Sequence, residues 1–260
     1  MDGKRIIVIN IEENISLITI NHPPINTLDT QTISELENAM DVFMTDPASK
    51  VAIITSSNKT VFVSGADILE AGEMIAAGKN TDFILKGQRL FRKITESAKP
   101  VIAAINGLAL GGGMELAMAC HLRIMGDHAK MAQPEINLGI IPGWGGTQML
   151  PRLVGLAKAR EMILTGESIS APEAYRLNLV NRVVSRKDVL DSAIELARKI
   201  AGKGSQAIRA AMDSIRISTQ MPAKEGLAYE AEQIIGLIDS PDAREGLKAF
   251  REKRKPVFGK

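Results

Sequence analysis

The chain has 260 residues, 45% of them apolar and 24% charged, which is enough to bury a large core as one domain or one domain with a smaller appendage. A net charge of +2 argues against nucleic acid or an anionic membrane surface as a chain-wide partner, and 3% aromatics supplies too few rings for the stacking platforms of single-strand binders. No apolar run is long enough to span a bilayer, and the single cysteine, Cys120, can form no internal disulfide, which fits a reducing, cytoplasmic setting.

The N-terminal "MDGKRIIVINIEENISLITIN" lacks the basic region and unbroken apolar core of a signal peptide. It reads instead as two alternating strands, 5–10 and 15–20, around a turn at Glu12–Asn14. Asp29 is the expected N-cap of a helix whose apolar positions are Ile33, Leu36, Met40, Phe43 and Met44, closed at Asp46–Pro47. A unit then recurs. "VAIIT" is a strand, "SSNK" a turn, "VFV" a second strand and "SGAD" a tight Gly turn before a helix from Ile68. The unit returns as "VIAAI", "NG", "LAL", "GGG" and a helix from Met114, and more weakly as "LRIM", "GDHA", "KMAQ" and "PE". Such β-β-α repeats stack to bury one another's faces. Phe83, Ile84, Leu90, Phe91 and Ile94 place an amphipathic helix between the first two copies. Beyond residue 150 the pattern is helical over 152–164, 172–177, 187–202, 205–218, 223–238 and 241–252, with one short strand at Val180–Val184. Two regions follow: a β-β-α core over 1–200 and a helical subdomain over 201–260.

Three consecutive glycines, Gly111 to Gly113, precede a glutamate and an apolar helix pattern. Glycine is costly in a helix, so the backbone itself is needed there. Both good copies of the unit run from a strand through a Gly turn into a helix start, where backbone N–H groups are unpaired and the helix end carries partial positive charge. Two such turns can aim two N–H groups at one oxygen, as an oxyanion hole does, or can be tight turns and nothing more. The dinucleotide fingerprint is missing, "AAGKN" lacks the phosphate-loop spacing, and Ser64 has no nucleophile elbow around it. Glu115 and Glu135 both lie in apolar surroundings near Gly-rich turns. Together they would form an acid/base pair with coupled titration, although Glu115 alone also fits an ordinary helix-dipole partner. His22, His121 and His128 have no metal-ligand spacing, Cys120 reads as a small core residue, and no metal site is expected.

The stretches "VFVSGADILE", "VIAAINGLALGGGMELAMAC", "AQPEINLGIIPGWGGTQML", "LTGESISAPEAYRLNLVNRVV" and "FREKRKPVFGK" together resemble the enoyl-CoA hydratase (crotonase) family over essentially the full chain. The resemblance implies an α/β fold, a spiral of β-β-α turns, with C-terminal helices that assemble homotrimers or dimers of trimers. It implies an acyl-CoA thioester as substrate, with coenzyme A as the carrier and no separate cofactor. The N–H groups of Ala66 and Gly112 would hold the thioester oxygen within a CoA-binding turn running from Ser64 through Asp67 to Ile68. Glu115 and Glu135 would be the catalytic pair and Gly143 would shape the water site. Phe250 and Lys253 would reach the CoA of a neighbouring subunit. Leu69 departs from the pattern, since many relatives carry Lys there. Keeping both glutamates looks like a hydratase of fatty-acid or related acyl-CoA metabolism. A Δ-isomerase or another lyase of the fold is the alternative. A noncatalytic or RNA-binding member is suggested only by the basic tail Arg251, Lys253, Arg254 and Lys255, for which a solvated helix end is the simpler reading.

Overall fold

Runs such as Val51–Ile54 and Val101–Ile105 are apolar at every position, as strands are when both faces of a sheet are covered. The computed structural model describes residues 3–12, 14–78 and 80–259; Glu13 of the expected first turn and Lys79 of "AAGKN" lie outside the described residues. The chain opens with β1 (Ile6–Glu12), β2 (Ile15–Ile20), β3 (Thr27–Leu28) and α1 (Thr30–Thr45). The first repeat is β4 (Val51–Ser56), β5 (Val61–Val63), β6 (Gly65–Ala66) and α2 (Ile68–Ala76), followed by α3 (Asn80–Thr95). The second is β7 (Val101–Ile105), β8 (Leu108–Leu110) and α4 (Gly112–Ala119). The third is β9 (Leu122–Gly126) and β10 (Lys130–Ala132), ending in a 3-10 helix at Pro134–Leu138. Then come α5 (Gly146–Val154), α6 (Leu156–Thr165), β11 (Ile169–Ser170), α7 (Ala171–Arg176), β12 (Arg182–Val184), α8 (Val189–Ala201), α9 (Ser205–Ile217), α10 (Ala223–Ile238) and α11 (Pro241–Arg251).

The repeats stack in register. Their first strands are neighbours in a six-stranded sheet of order β1-β2-β4-β7-β9-β12, parallel except for the β1–β2 hairpin. Their second strands are neighbours in a four-stranded sheet of order β11-β10-β8-β5, parallel except at β11. Strand alternation divides the burial. Val51 and Ile53 of β4 pack with Ala193 and Ala197 of α8, whereas Ala52 and Ile54 enter the main core with Phe43, Phe62 and Phe91.

Several elements differ from the sequence reading for local reasons. Asp29 caps α1 as expected, its carboxylate accepting from Thr32 N at 2.6 Å. The helix expected over 152–164 is two helices, because Gly155 at φ +80° breaks the chain between α5 and α6. The "SGAD" turn contains a two-residue strand, β6, pairing in parallel with β3, which is too short to show a period. Cys120 is buried as expected, and burial pushes its thiol up to about 12. No helix among the described residues is long and apolar enough to cross a membrane, and none of their His, Cys, Asp and Glu side chains cluster as a metal site.

Helix α4 is pinned at both ends. At its C-terminus the buried Arg123 donates from Nη1 to Cys120 O at 2.6 Å and from Nε to Leu179 O at 2.6 Å, putting a cation against the negative end of the helix. At its N-terminus a Cβ on Gly113 would lie 2.1 Å from Val63 O, so only glycine lets α4 come this close to β5. Gly113→Ala is therefore expected to lower the unfolding free energy by roughly 1–3 kcal/mol through overpacking against backbone. The check is the urea midpoint at unchanged slope; an unmoved midpoint would show that α4 can back away from β5 freely.

Candidate active site

Two Gly turns from successive repeats meet at one place. Gly65 takes φ +110°, and a Cβ there would lie 3.1 Å from Leu110 O and 3.6 Å from Gly112 N. A Cβ on Gly112 would in turn lie 3.4 Å from Ala66 N. The N–H of Asp67 donates to Leu28 O at 3.1 Å, so in extended backbone the preceding Ala66 N–H points away from β3. Gly112 is the first residue of α4, and its N–H has no acceptor within the helix. The two N–H groups thus lie in abutting turns, as a site for one developing oxyanion requires. Gly111 at φ +49° makes the turn and is held by its N–H to Ala132 O at 2.9 Å and by Gln133 Nε2 to its own carbonyl at 3.2 Å.

Two glutamates stand beside this cradle. Glu115, one turn into α4, is 2% exposed, and its Oε1 accepts from Trp144 N at 2.8 Å and Gly146 N at 2.7 Å. Burial pushes its carboxyl up to about 7; the Gly146 N–H pulls it down, the nearby charge of Glu135 raises it, and the Trp144 N–H lowers it. Glu135 comes from the 3-10 helix after β10, and its Oε1 lies 2.8 Å from where a Cβ on Gly111 would be. Burial raises its pKa, and its Oε2 is buried with no hydrogen-bond partner among the described residues. Two carboxyl groups that resist ionisation face the glycine turns, with one oxygen of Glu135 uncommitted. That arrangement can hold a water or hydroxyl and pass protons at near-neutral pH.

The structure brings together Ala66, Gly112, Glu115 and Glu135, and places Gly143 in the loop that leads to the N–H donors of Glu115; its carbonyl accepts from Gln88 Nε2 at 2.8 Å. Ser64 Oγ is buried and has no hydrogen-bond partner among the described residues. Asp67 has structural work: its Oδ1 accepts from Leu69 N and Glu70 N at 3.1 and 3.0 Å, so it caps α2. Ile68 and Leu69 project outward at 62% and 82% exposure. Phe250 and Lys253 sit at the far end of the chain, Phe250 84% exposed on α11 and Lys253 just beyond it at φ +53°. Of the basic tail, Arg254 pairs with Glu245 at 2.6 Å and with Glu252 at 2.6 Å. Sequence reasoning missed Trp144, Gly146 and Gln133. Only the Gly-rich spelling of "PGWGGTQ", with the single Trp of the chain inside it, marked that loop.

A family model described as Enoyl-CoA hydratase/isomerase matches residues 10–260. Among its relatives, a crotonyl-CoA hydratase of Syntrophomonas wolfei is 41% identical over 253 residues, covering 97% of each chain. A probable enoyl-CoA hydratase of Bacillus subtilis is also 41% identical, over 251 residues, covering 95% of this chain and 96% of its own. The crystal structure of an enoyl-CoA hydratase from Bacillus anthracis superposes with a TM-score of 0.92 at 36% identity, covering 98% of this chain and 99% of that one.

The raised pKa of Glu115 has a measurable consequence for stability. A carboxyl at 4.5 when unfolded and about 7 when folded binds more protons in the folded state. Its contribution is complete below the lower value and is lost as pH rises through the upper one, a change of roughly 3 kcal/mol. Glu115→Gln keeps an oxygen for both N–H donors and cannot ionise. Its stability relative to the parent is expected to improve between about pH 5 and about pH 8. Denaturation curves at both pH values decide this; a constant difference would mean that folding does not raise the pKa of Glu115 above its unfolded value.

Proposed function

The chain belongs to the enoyl-CoA hydratase/isomerase family, and on that premise we propose that it is an enoyl-CoA hydratase, a hydro-lyase that adds water reversibly across the 2,3 double bond of a 2-enoyl-CoA to give a 3-hydroxyacyl-CoA. The observation that carries the reading is the pairing of Glu115 and Glu135, both held against ionisation, beside the abutting Ala66 and Gly112 turns. The two N–H groups stabilise the enolate-like charge that develops on the thioester oxygen as the nucleophile arrives. With Oε1 committed to Trp144 and Gly146, Glu115 has Oε2 to accept a proton from water as the hydroxyl adds to C3. Glu135 delivers the proton to C2 and is reprotonated through the pair, so one water is consumed and both carboxyls are restored. The step neither oxidises nor reduces the substrate, and the thioester already acidifies C2, so coenzyme A serves as carrier and no further cofactor is required.

Glu115→Gln and Glu135→Gln are each expected to lower kcat for hydration by about 10²-fold or more, with the double variant far less than additive. Steady-state assays of water addition, run beside an assay of double-bond migration, check this. Near-parental hydration in either single variant would sink the paired-carboxylate mechanism, and migration without hydration would make the protein an isomerase.

The reading extends to a homo-oligomer, a trimer or dimer of trimers, acting in fatty-acid or related acyl-CoA metabolism in the cytoplasm. The support for assembly is the apolar face of α10, where Leu227, Ile234, Ile235 and Ile238 are each more than half exposed on a helix with no fully buried residue. Phe250, bare at the end of α11, and Lys253 beside it would reach the CoA of a neighbouring subunit. Lys253→Ala is expected to raise KM for CoA thioesters with little change in kcat or particle size. Removing residues 246–260 should both raise KM and weaken assembly. Light scattering and kinetics on the same samples test this; full assembly with unaltered KM would confine the tail to solvent.

A further inference from the structure

The only tryptophan of the chain does something that hydration does not ask of it. The backbone N–H of Trp144 serves Glu115, a task open to any residue but proline. Its indole is left over, yet it is 5% exposed and two helices are shaped around it. The six-membered ring faces α4, where a Cβ on Gly112 would lie 2.5 Å from Cζ3. The five-membered ring faces α3, where a Cβ on Gly87 would lie 2.3 Å from Nε1. Phe83 and Phe91 meet it edge-on at centroid distances of 5.3 and 5.6 Å. The indole therefore spans from the oxyanion turn on α4 to the apolar face of α3, and a glycine on each helix makes room for it.

Its position relative to the two backbone donors is fixed by the same geometry. The Cβ position on Gly112 that lies 2.5 Å from the indole lies 3.4 Å from Ala66 N, so the ring sits within the sum of these distances of one oxyanion donor and against the other. An acyl chain begins at the carbonyl whose oxygen those donors would hold, and the ring meets Gly112 of that turn at one end and the buried Phe83 and Phe91 edge-on. We propose that Trp144 is the end wall of the acyl site and restricts the enzyme to short-chain 2-enoyl-CoA thioesters. The inference rests on the hydratase reading. It adds that chain length is set by this one side chain, with Gly87 and Gly112 as the space it occupies. Removing the indole would leave an apolar hole lined by α3; an apolar cavity of about 150 Å³ stays dry and takes a benzene-sized guest, so such a hole can accept further methylenes.

The test is kcat/KM for crotonyl-CoA and 2-decenoyl-CoA with the intact protein and with Trp144→Ala and Trp144→Phe. Both variants keep the backbone N–H to Glu115. The parent is expected to favour crotonyl-CoA, with Trp144→Ala shifting the ratio toward decenoyl-CoA by roughly tenfold or more and Trp144→Phe by less. A ring that only fills the core would lower both substrates by the same factor, and that result overturns the proposal. So does a parent enzyme that takes the ten-carbon substrate as well as the four-carbon one. Should the alanine variant fail to fold, Trp144→Phe and Trp144→Leu carry the same comparison under the same criterion. A parent that hydrates neither substrate overturns the hydratase reading, and the wall with it, which is a different outcome from an unmoved ratio.

Discussion

The site hangs on one carboxylate oxygen. Oε1 of Glu115 accepts the N–H groups of Trp144 and Gly146, and through them the second repeat grips the loop that follows the third. That junction joins α4 to the start of α5 across buried interior, where a charge-assisted hydrogen bond is strong and an unmade one is costly. It also sets the chemistry. Two N–H donors favour the ionised form while burial and the neighbouring Glu135 oppose it, and the balance leaves Glu115 near neutral pH. A general acid–base group works best when its pKa lies near the working pH.

Around this junction the glycines are spacers more than hinges. Gly112 gives its side-chain space to Trp144, Gly113 gives its own to the Val63 carbonyl, and Gly111 turns the chain where the Glu135 carboxylate comes closest. Each absent Cβ is a contact between consecutive turns of the spiral, so the triple glycine serves the packing that builds the candidate site. Arg123 completes the arrangement from the other end, holding the last carbonyls of α4 in a buried, hydrogen-bonded clamp.

The C-terminal helices obey a different balance. Helix α10 buries no residue fully within one chain and shows a row of aliphatic side chains outward. The basic tail is partly neutralised inside the chain, since Glu245 holds Arg254 and its own carboxyl is pulled down to about 2 by that pairing. The acidic partner makes the tail a poorer nucleic-acid surface than its spelling suggests and leaves Arg251, Lys253 and Lys255 as its exposed cations beside Phe250.

Much was legible in the sequence because it depends on local periodicity. The alternating and all-apolar strands, the repeat, the Asp29 cap, the buried Cys120 and the C-terminal helices follow from residues close in the chain. The two Gly turns and the two glutamates were legible as candidates, since each needs only its own neighbours to be recognised. What the tertiary structure alone decided is what those candidates touch. Residues 115 and 144–146 meet only when successive turns of the spiral stack, so no local pattern could show the N–H pair on Glu115 or the wedge of Trp144 between Gly87 and Gly112. The same holds for the partners of Asp67, whose Oδ1 caps α2 and whose Oδ2 accepts from Thr27 of the distant β3. Chain-local chemistry fixes which groups can act; burial and the partners brought by long-range packing fix their pKa and their geometry, because both are set by what lies within a few ångströms in space and not in sequence.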